Sequence, residues 1–258
     1  RRVALGKDFD ATGQPRSGAA LVLDREGAET LAADLAGSEF RVRAVERKPY
    51  RRSPYPPFRT ATLQQEAGRQ LRFSSQRTMR AAQHLYESGY ITYMRTDSIA
   101  LSTAAVEAAR AVVAERYGRA YLPDRPRVYR SRVKNAQEAH EAIRPAGEVF
   151  RDPEEVADRV PADEARLYDL IWKRTVASQM ADAVGESVQV RLGAQGASGA
   201  DAEFAAAGKI ISFPGFLRAY VEGSDDPDAE LEDQERRLPP LAEGDPLDVL
   251  SLEARGHE

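Results

Sequence analysis

Tyr93 and Arg95 stand two residues apart in Gly89-Tyr-Ile-Thr-Tyr-Met-Arg-Thr-Asp-Ser98, and as a pair they could carry phosphoryl-transfer chemistry. A phenol oxygen can attack a phosphodiester when a fixed cation sits beside the phosphate. Arginine supplies that cation in a fork that matches phosphate oxygens. The run after Gly89 is β-prone, which predicts a strand. In extended chain, residues i and i+2 share a face, so the phenol and the guanidinium would point the same way. A plain strand with a surface arginine fits the same pattern, and the rest of the chain has to separate the two.

His140 is the other candidate, within Asn135-Ala-Gln-Glu-Ala-His-Glu-Ala-Ile-Arg-Pro145. A helix expected over 136–143 would put His140, Glu141 and Arg144 on neighbouring turns, a donor, a carboxylate and a cation beside a phosphate. A zinc-protease reading of His-Glu-x-x fails because Arg144 stands where the second histidine ligand is required. His84 reads as structural or exposed, and His257 is uninformative. Arg119 to Lys134 holds six basic residues and one acid, interleaved with Tyr121 and Tyr129. That pattern suits single-stranded nucleic acid and an exposed arginine-rich loop equally. Nothing resembles an Asp-x-Asp-x-Glu metal array or a Walker loop, and zero cysteines excludes thiol catalysis, disulfides and thiolate metal sites.

Charge is uneven. The formal net charge is −4, yet residues 51–134 carry 16 Lys and Arg against 6 Asp and Glu. Residues 135–258 reverse this, with 12 against 27. A polyanion partner would therefore meet a local basic region rather than a basic protein. At 258 residues and 42% hydrophobic the chain can bury a sizeable core in one or two domains. No apolar run reaches membrane-helix length and no signal peptide precedes the first strand-like segment, which leads to a cytoplasmic expectation. The chain starts at Arg1 and stops just after a strand-like run, so it is expected to be a piece of a longer polypeptide.

The elements that must position these residues follow from periodicity and caps. Residues 3–50 predict strand, turn, helix and strand, with Gly37 closing the helix and Phe40, Val42 and Ala44 on one strand face. Lys48 to Phe58, with four prolines, predicts an extended connector and a domain boundary. Five helices follow, the fourth being that over 136–143. One is capped by Thr62 with Gln65 and carries Leu63, Ala67 and Leu71. A second is capped by Ser75 and a third by Ser102, and the last spans about 162–183 with Leu167, Leu170, Ile171 and Val176 as its core face. Beyond Ala183 the period becomes two: Val188, Val190 and Leu192 alternate, Phe204–Phe213 predicts a hairpin turning at Gly208, and Leu247, Val249 and Ser251 share a last strand face. Asp225–Glu235, with seven acids, predicts a solvated loop. The fold class is α+β: a mainly helical domain at 57–181 inserted into a discontinuous β-rich domain at 1–56 and 182–258.

Taken together, the strings resemble the bacterial topoisomerase I branch of the type IA DNA topoisomerases. They are Pro56-Pro-Phe-Arg-Thr-Ala-Thr-Leu-Gln-Gln-Glu-Ala67, Thr78-Met-Arg-Ala-Ala-Gln-His-Leu-Tyr-Glu87, Ile91-Thr-Tyr-Met-Arg-Thr-Asp-Ser98, Ala139-His-Glu-Ala-Ile-Arg-Pro145 and Leu170-Ile-Trp-Lys-Arg174. The preference for Arg over Lys resembles actinobacterial usage. The resemblance implies that Tyr93 cuts one DNA strand through a 5′-phosphotyrosyl link and religates it without ATP, relaxing negative supercoils. It implies that Arg95 holds the scissile phosphate, that His140 bonds the phosphate or Asp97, and that Gln83, Glu87, Thr92 and Arg144 line the site. It also implies a toroid in which the β-rich domain is the gate. Mg2+ would be held by an acidic domain before residue 1, with a further Gly-x-Gly-Arg-Pro-Ser-like segment after residue 258, so no metal ligand is expected here. The isolated chain is then expected not to relax DNA. The expected partner is a single-stranded segment of negatively supercoiled DNA, and the enzyme is expected to be monomeric, cytoplasmic and nucleoid-associated. A non-catalytic single-stranded-DNA module, or a topoisomerase III or reverse gyrase relative, remains the alternative.

Overall fold

In the computed structural model, residues 3, 10, 14, 21–130, 141–221 and 238–254 are described. The chain divides into two compact units. One takes in 1–48, 187–210 and 236–258, and the other 49–186 and 211–235. The chain is α+β, with a helical block interrupting the β-rich segments. Residues 211–221 belong with the helical unit, because Phe216, Leu217, Ala219 and Val221 bury themselves in its core.

The β-rich unit holds helix α1 (Arg25–Asp34), capped by the Asp24 carboxylate accepting from Gly27 N at 2.8 Å. Strands β1 (Phe40–Arg52), β2 (Ala183–Gln195), β3 (Asp201–Phe213) and β4 (Pro246–Leu247) form one sheet in the order β3-β2-β1-β4. Strand β4 pairs antiparallel with β1, Phe40 opposite Leu247. Val42, Val188 and Val190 are buried together, as their alternation requires. Three expectations fail. The chain turns at 196–200, where Gly196 N donates to Ala200 O at 2.8 Å and Gly199 adopts φ +85°, while Gly208 lies inside one continuous strand. Strand β1 also runs to Arg52, through the first part of the proline-rich connector. Val249 and Ser251 lie past the end of β4.

The helical unit contains α2 (Thr60–Glu66), α3 (Ser75–Glu87), α4 (Thr103–Val112), α5 (Pro153–Ala157), α6 (Ala162–Ser178) and α7 (Arg218–Val221). Ser102 caps α4 as expected, accepting from Ala105 N. The cap of α3 is Ser74 rather than Ser75, and α2 begins before Thr62, with Arg59 at its N-cap. A π-helical turn at Ala67–Leu71 follows α2, ended by Arg72 at φ 59°. Helix α6 stops at Ser178, and Leu167, Leu170, Ile171 and Val176 are buried at the centre of the unit. Pro161 precedes its first turn, where Asp163 and Glu164 favour the positive end of the helix dipole.

Candidate active site

The Tyr93 segment is not a strand. Ile91 makes a single antiparallel bridge to Pro145, and the chain bends at Thr92 and again at Met94–Arg95. The alternation nevertheless survives: Tyr93, Arg95 and Asp97 are exposed while Met94 and Thr96 are buried. Met94 belongs to the core of the helical unit, so its burial pins the backbone between the two candidate side chains.

Hydrogen bonds from both sides lock that backbone. From α2, the Thr60 hydroxyl donates to Met94 O at 2.8 Å and accepts from Thr96 N at 2.9 Å. Thr60 N donates to Thr96 O at 3.0 Å. From the other side, Thr92 N donates to Arg144 O at 2.9 Å, and the Thr92 hydroxyl donates to Ala142 O at 2.7 Å. Arg144 N returns a bond to that hydroxyl at 3.0 Å. Four buried backbone groups are thus satisfied by two threonine side chains, which substitute for the missing strand ladder.

Residues 141–146 are extended rather than helical, which corrects the expected helix over 136–143 where it falls on described residues. Ile143 bridges Phe58, Ala142 N donates to Ala100 O at 2.8 Å, and Ala146 N donates to Tyr90 O at 2.8 Å. The segment is held by partners on three sides, and Pro145 ends any helical continuation. Glu141 and Arg144 still meet, at 2.5 Å, but across extended chain. Arg144 is buried at 8% exposure, and its guanidinium also donates to Pro145 O at 2.8 Å and Gly147 O at 2.9 Å. Its guanidinium donors therefore bind the protein, while its backbone N and O are the groups that bond Thr92. Burial pushes the Glu141 carboxyl up, but bonds from Ser102 and Arg144 outweigh that and hold it below its usual range. His140 lies outside the described residues.

Helix α3 brings two further candidates to the rim. Gln83 and Glu87 are exposed and bonded to each other, Nε2 to Oε1 at 2.8 Å. Between them Tyr86 meets the Tyr93 ring edge-on, centroids 5.3 Å apart. Gly89, at φ +72°, turns the chain from α3 back toward Tyr93. Among the described residues neither Arg95 nor Asp97 has an ion-pair or hydrogen-bond partner. Thr60 and Tyr86 both lie inside strings that carry the resemblance, but their residue types alone did not single them out as site residues.

The basic, tyrosine-bearing stretch after Arg119 is largely engaged internally where it is described. The Tyr121 ring packs on Phe213 at 4.9 Å, and the Tyr129 hydroxyl donates to Ser178 O at 3.0 Å. Burial pushes the Tyr129 phenol up to about 12. Arg127 donates to Met180 O at 2.7 Å and pairs with Asp182, which also pairs with Arg51. Both tyrosines are half-buried and engaged within the protein. Arg125 and Arg130 remain exposed.

A tyrosine and an arginine displayed from a clamped bend could equally be a binding feature, and similarity settles the family. A family model described as DNA topoisomerase matches residues 4–258. The chain belongs to the bacterial DNA topoisomerase family. It is 60% identical over 257 residues to DNA topoisomerase 1 of Streptomyces coelicolor, covering 100% of this chain and 27% of that protein. It is 54% identical over 263 residues to DNA topoisomerase 1 of Mycobacterium tuberculosis H37Rv, covering 100% of this chain and 28% of the relative. Full-length topoisomerase I from Thermotoga maritima superposes with a TM-score of 0.66 at 31% identity, over 90% of this chain and 36% of that one. This topoisomerase chain thus spans between a quarter and a third of the curated relatives it matches.

Proposed function

We propose that this chain carries the strand-cleaving tyrosine of a type IA DNA topoisomerase. The Tyr93 oxygen attacks the phosphorus of one DNA strand and a 5′-phosphotyrosyl bond forms. The bond to the 3′ oxygen breaks, and that oxygen leaves as a hydroxyl. Attack by the same hydroxyl reverses the step, so the phosphodiester energy is conserved and ATP is not needed. Arg95 neutralises the charge that grows on the phosphate oxygens. The observation that carries this reading is the bend itself: Tyr93 and Arg95 project outward from a backbone fixed at Met94 and Thr96.

Thr92 and Arg144 act within this reading as positioning residues, Gln83 and Glu87 as rim residues, and Asp97 and His140 as groups near the phosphate. Among the described residues no three His, Asp or Glu side chains gather as a metal site. Within this reading Mg2+ would be held by residues outside this chain. The enzyme would act as a monomer on single-stranded segments of negatively supercoiled chromosomal DNA in the cytoplasm, the β-rich unit serving as the gate. No described helix is long and apolar enough to cross a membrane.

The test is to trap the full-length enzyme on labelled single-stranded DNA, denature it, and locate the adduct by mass spectrometry. The adduct should sit on the peptide containing Tyr93. Binding without any adduct would instead favour a DNA-docking module.

A further inference from the structure

A cleft of about 580 Å3 in the helical unit is lined by Arg52, Tyr55, Gln65, Arg69, Arg174 and Tyr220, among others, and by none of the residues assigned above to strand cleavage. Its floor is buried and charged. Arg174 is 8% exposed, and its nearest carboxylate oxygen is Glu66 Oε1 at 3.9 Å. That carboxylate is already held by Arg69 at 2.6 Å and by Gln70. Cation–π contacts to Phe58, 4.3 Å from the ring centroid, and Tyr55, at 5.1 Å, support the Arg174 guanidinium. They satisfy none of its in-plane donors. Its Nε and the Tyr220 hydroxyl are buried, and apart from the approach of the Arg174 guanidinium to that hydroxyl neither has a hydrogen-bond partner among the described residues. Buried donors left this way are costly unless something fills the site. Burial pushes the Tyr220 phenol up, so it stays a neutral O–H donor near neutral pH.

Three guanidiniums against one carboxylate leave the cleft cationic. The exposed Tyr55 ring, half open to solvent, and the Gln65 amide stand at its rim. Arg52 and Arg174 lie 5.3 and 5.1 Å from the Tyr55 ring centroid, and arginine forks beside a half-exposed aromatic ring recognise a phosphate joined to a planar ring. We propose that this cleft binds a nucleoside phosphate: Arg174, Arg69 and Tyr220 take the phosphate and Tyr55 stacks on the base. The proposal rests on the chain's belonging to a DNA-acting enzyme. The nucleotide comes either from the bound DNA strand, away from the cleaved phosphate, or from a free nucleotide.

The test uses full-length enzyme carrying Tyr93→Phe, so that nothing is cleaved. Titrations are run with oligothymidylate, with dTMP and with inorganic phosphate. An oligothymidylate bearing 5-iodo-deoxyuridine is photo-crosslinked in parallel. The cleft should crosslink through the Tyr55 peptide, and Tyr55→Ala and Arg69→Gln, both rim changes, should each weaken binding at least tenfold. Arg69→Gln should also lower the salt slope by about 0.7, one single-strand phosphate contact. An oligonucleotide that binds far more tightly than dTMP identifies the DNA strand as the source, and equal affinities identify a free nucleotide. Phosphate binding as tightly as dTMP, or rim variants with unchanged affinity and crosslinks elsewhere, would overturn the proposal. Failure of the function itself reads differently: wild-type enzyme would form no Tyr93 adduct, whatever the cleft binds.

Discussion

Thr60 and Thr96 are joined by a reciprocal pair of hydrogen bonds, Thr60 N to Thr96 O at 3.0 Å and Thr96 N to Thr60 Oγ1 at 2.9 Å. This is what a strand partner would provide, delivered by the first residue of a helix. Helix α2 therefore sets where the Tyr93–Arg95 backbone lies, and the exposed pair inherits its geometry from a residue that bonds the backbone on either side of Arg95.

Thr60→Val keeps the shape and removes the hydroxyl, leaving Met94 O and Thr96 N without that partner. Each orphaned buried group costs roughly 1–3 kcal/mol, so the urea midpoint should drop clearly. Formation of the Tyr93 adduct in single turnover should fall about tenfold or more, because misplacement by an ångström is enough to slow an oriented reaction. Oligonucleotide affinity should change less than the cleavage rate, and Thr60→Ser should recover both properties. A Val variant cleaving at the wild-type rate would show that Tyr93 does not depend on this clamp.

Tyr93→Phe should bind single-stranded DNA at close to normal affinity and form no covalent adduct. Arg95→Ala should slow cleavage by about 100-fold or more, the order seen when a transition-state charge partner is removed, with a smaller loss in binding. Gel-resolved cleavage and anisotropy titration on the same preparations separate the two quantities. Equal losses in both would reduce Arg95 to a phosphate anchor.

The 258-residue chain alone, given Mg2+, should leave negatively supercoiled plasmid unrelaxed, since its described residues assemble no metal site. Agarose gels of plasmid topoisomers read this directly. Relaxation by the chain alone would mean that its own residues complete the active site.

Local signals in the sequence located most elements. Ser102 caps α4 as its hydroxyl dictates, and Val188 and Val190 are buried by simple alternation. What stayed hidden was tertiary. The β-prone residues after Gly89 would pair as a strand if a partner strand lay alongside, but Thr60 and the 141–146 segment occupy those positions instead. The His-Glu-Ala-Ile-Arg string has helical propensity, yet Ile143 and Ala142 gain more by bonding Phe58 and Ala100. Pro49 marks a boundary by composition, but strand β1 continues through it to Arg52. The pairing of Tyr93 with Arg95 was readable because it needs only spacing. The commitment of Arg144 to Glu141 and two carbonyls was not, because it depends on which way the chain folds back.

Glu141→Gln removes the carboxylate from the buried Arg144 and weakens the acceptor for Ser102 N. Breaking one side of such a pair costs about 3 kcal/mol, toward the low end because Glu141 is partly exposed. The folded-state pKa of Glu141 is depressed below the usual 4.5. Its contribution is therefore present in full above the unfolded value and is lost as pH falls through the folded one. The stability gap between wild type and variant should be constant near neutrality and should close on acidification below about 4.5. Urea denaturation of both proteins across that range measures the gap. A gap that widened toward acid would contradict the assigned ionisation.

Gly215 and Gly89 separate backbone strain from steric contact. Both hold left-handed φ angles, +51° and +72°. A Cβ at Gly89 would meet nothing within 4 Å, whereas at Gly215 it would collide with Asp182 O and lie 2.6 Å from Ala181 O. The second collision is with backbone that is itself bonded, since Phe216 N donates to Ala181 O at 2.9 Å, so it cannot relax by a rotamer change. Gly89→Ala should cost about 1 kcal/mol, the left-handed penalty alone. Gly215→Ala should cost about 3 kcal/mol or more, because a packed backbone must shift as well. Equal losses in urea midpoint for the two variants would mean that the chain at 181–182 and 215 yields without resistance.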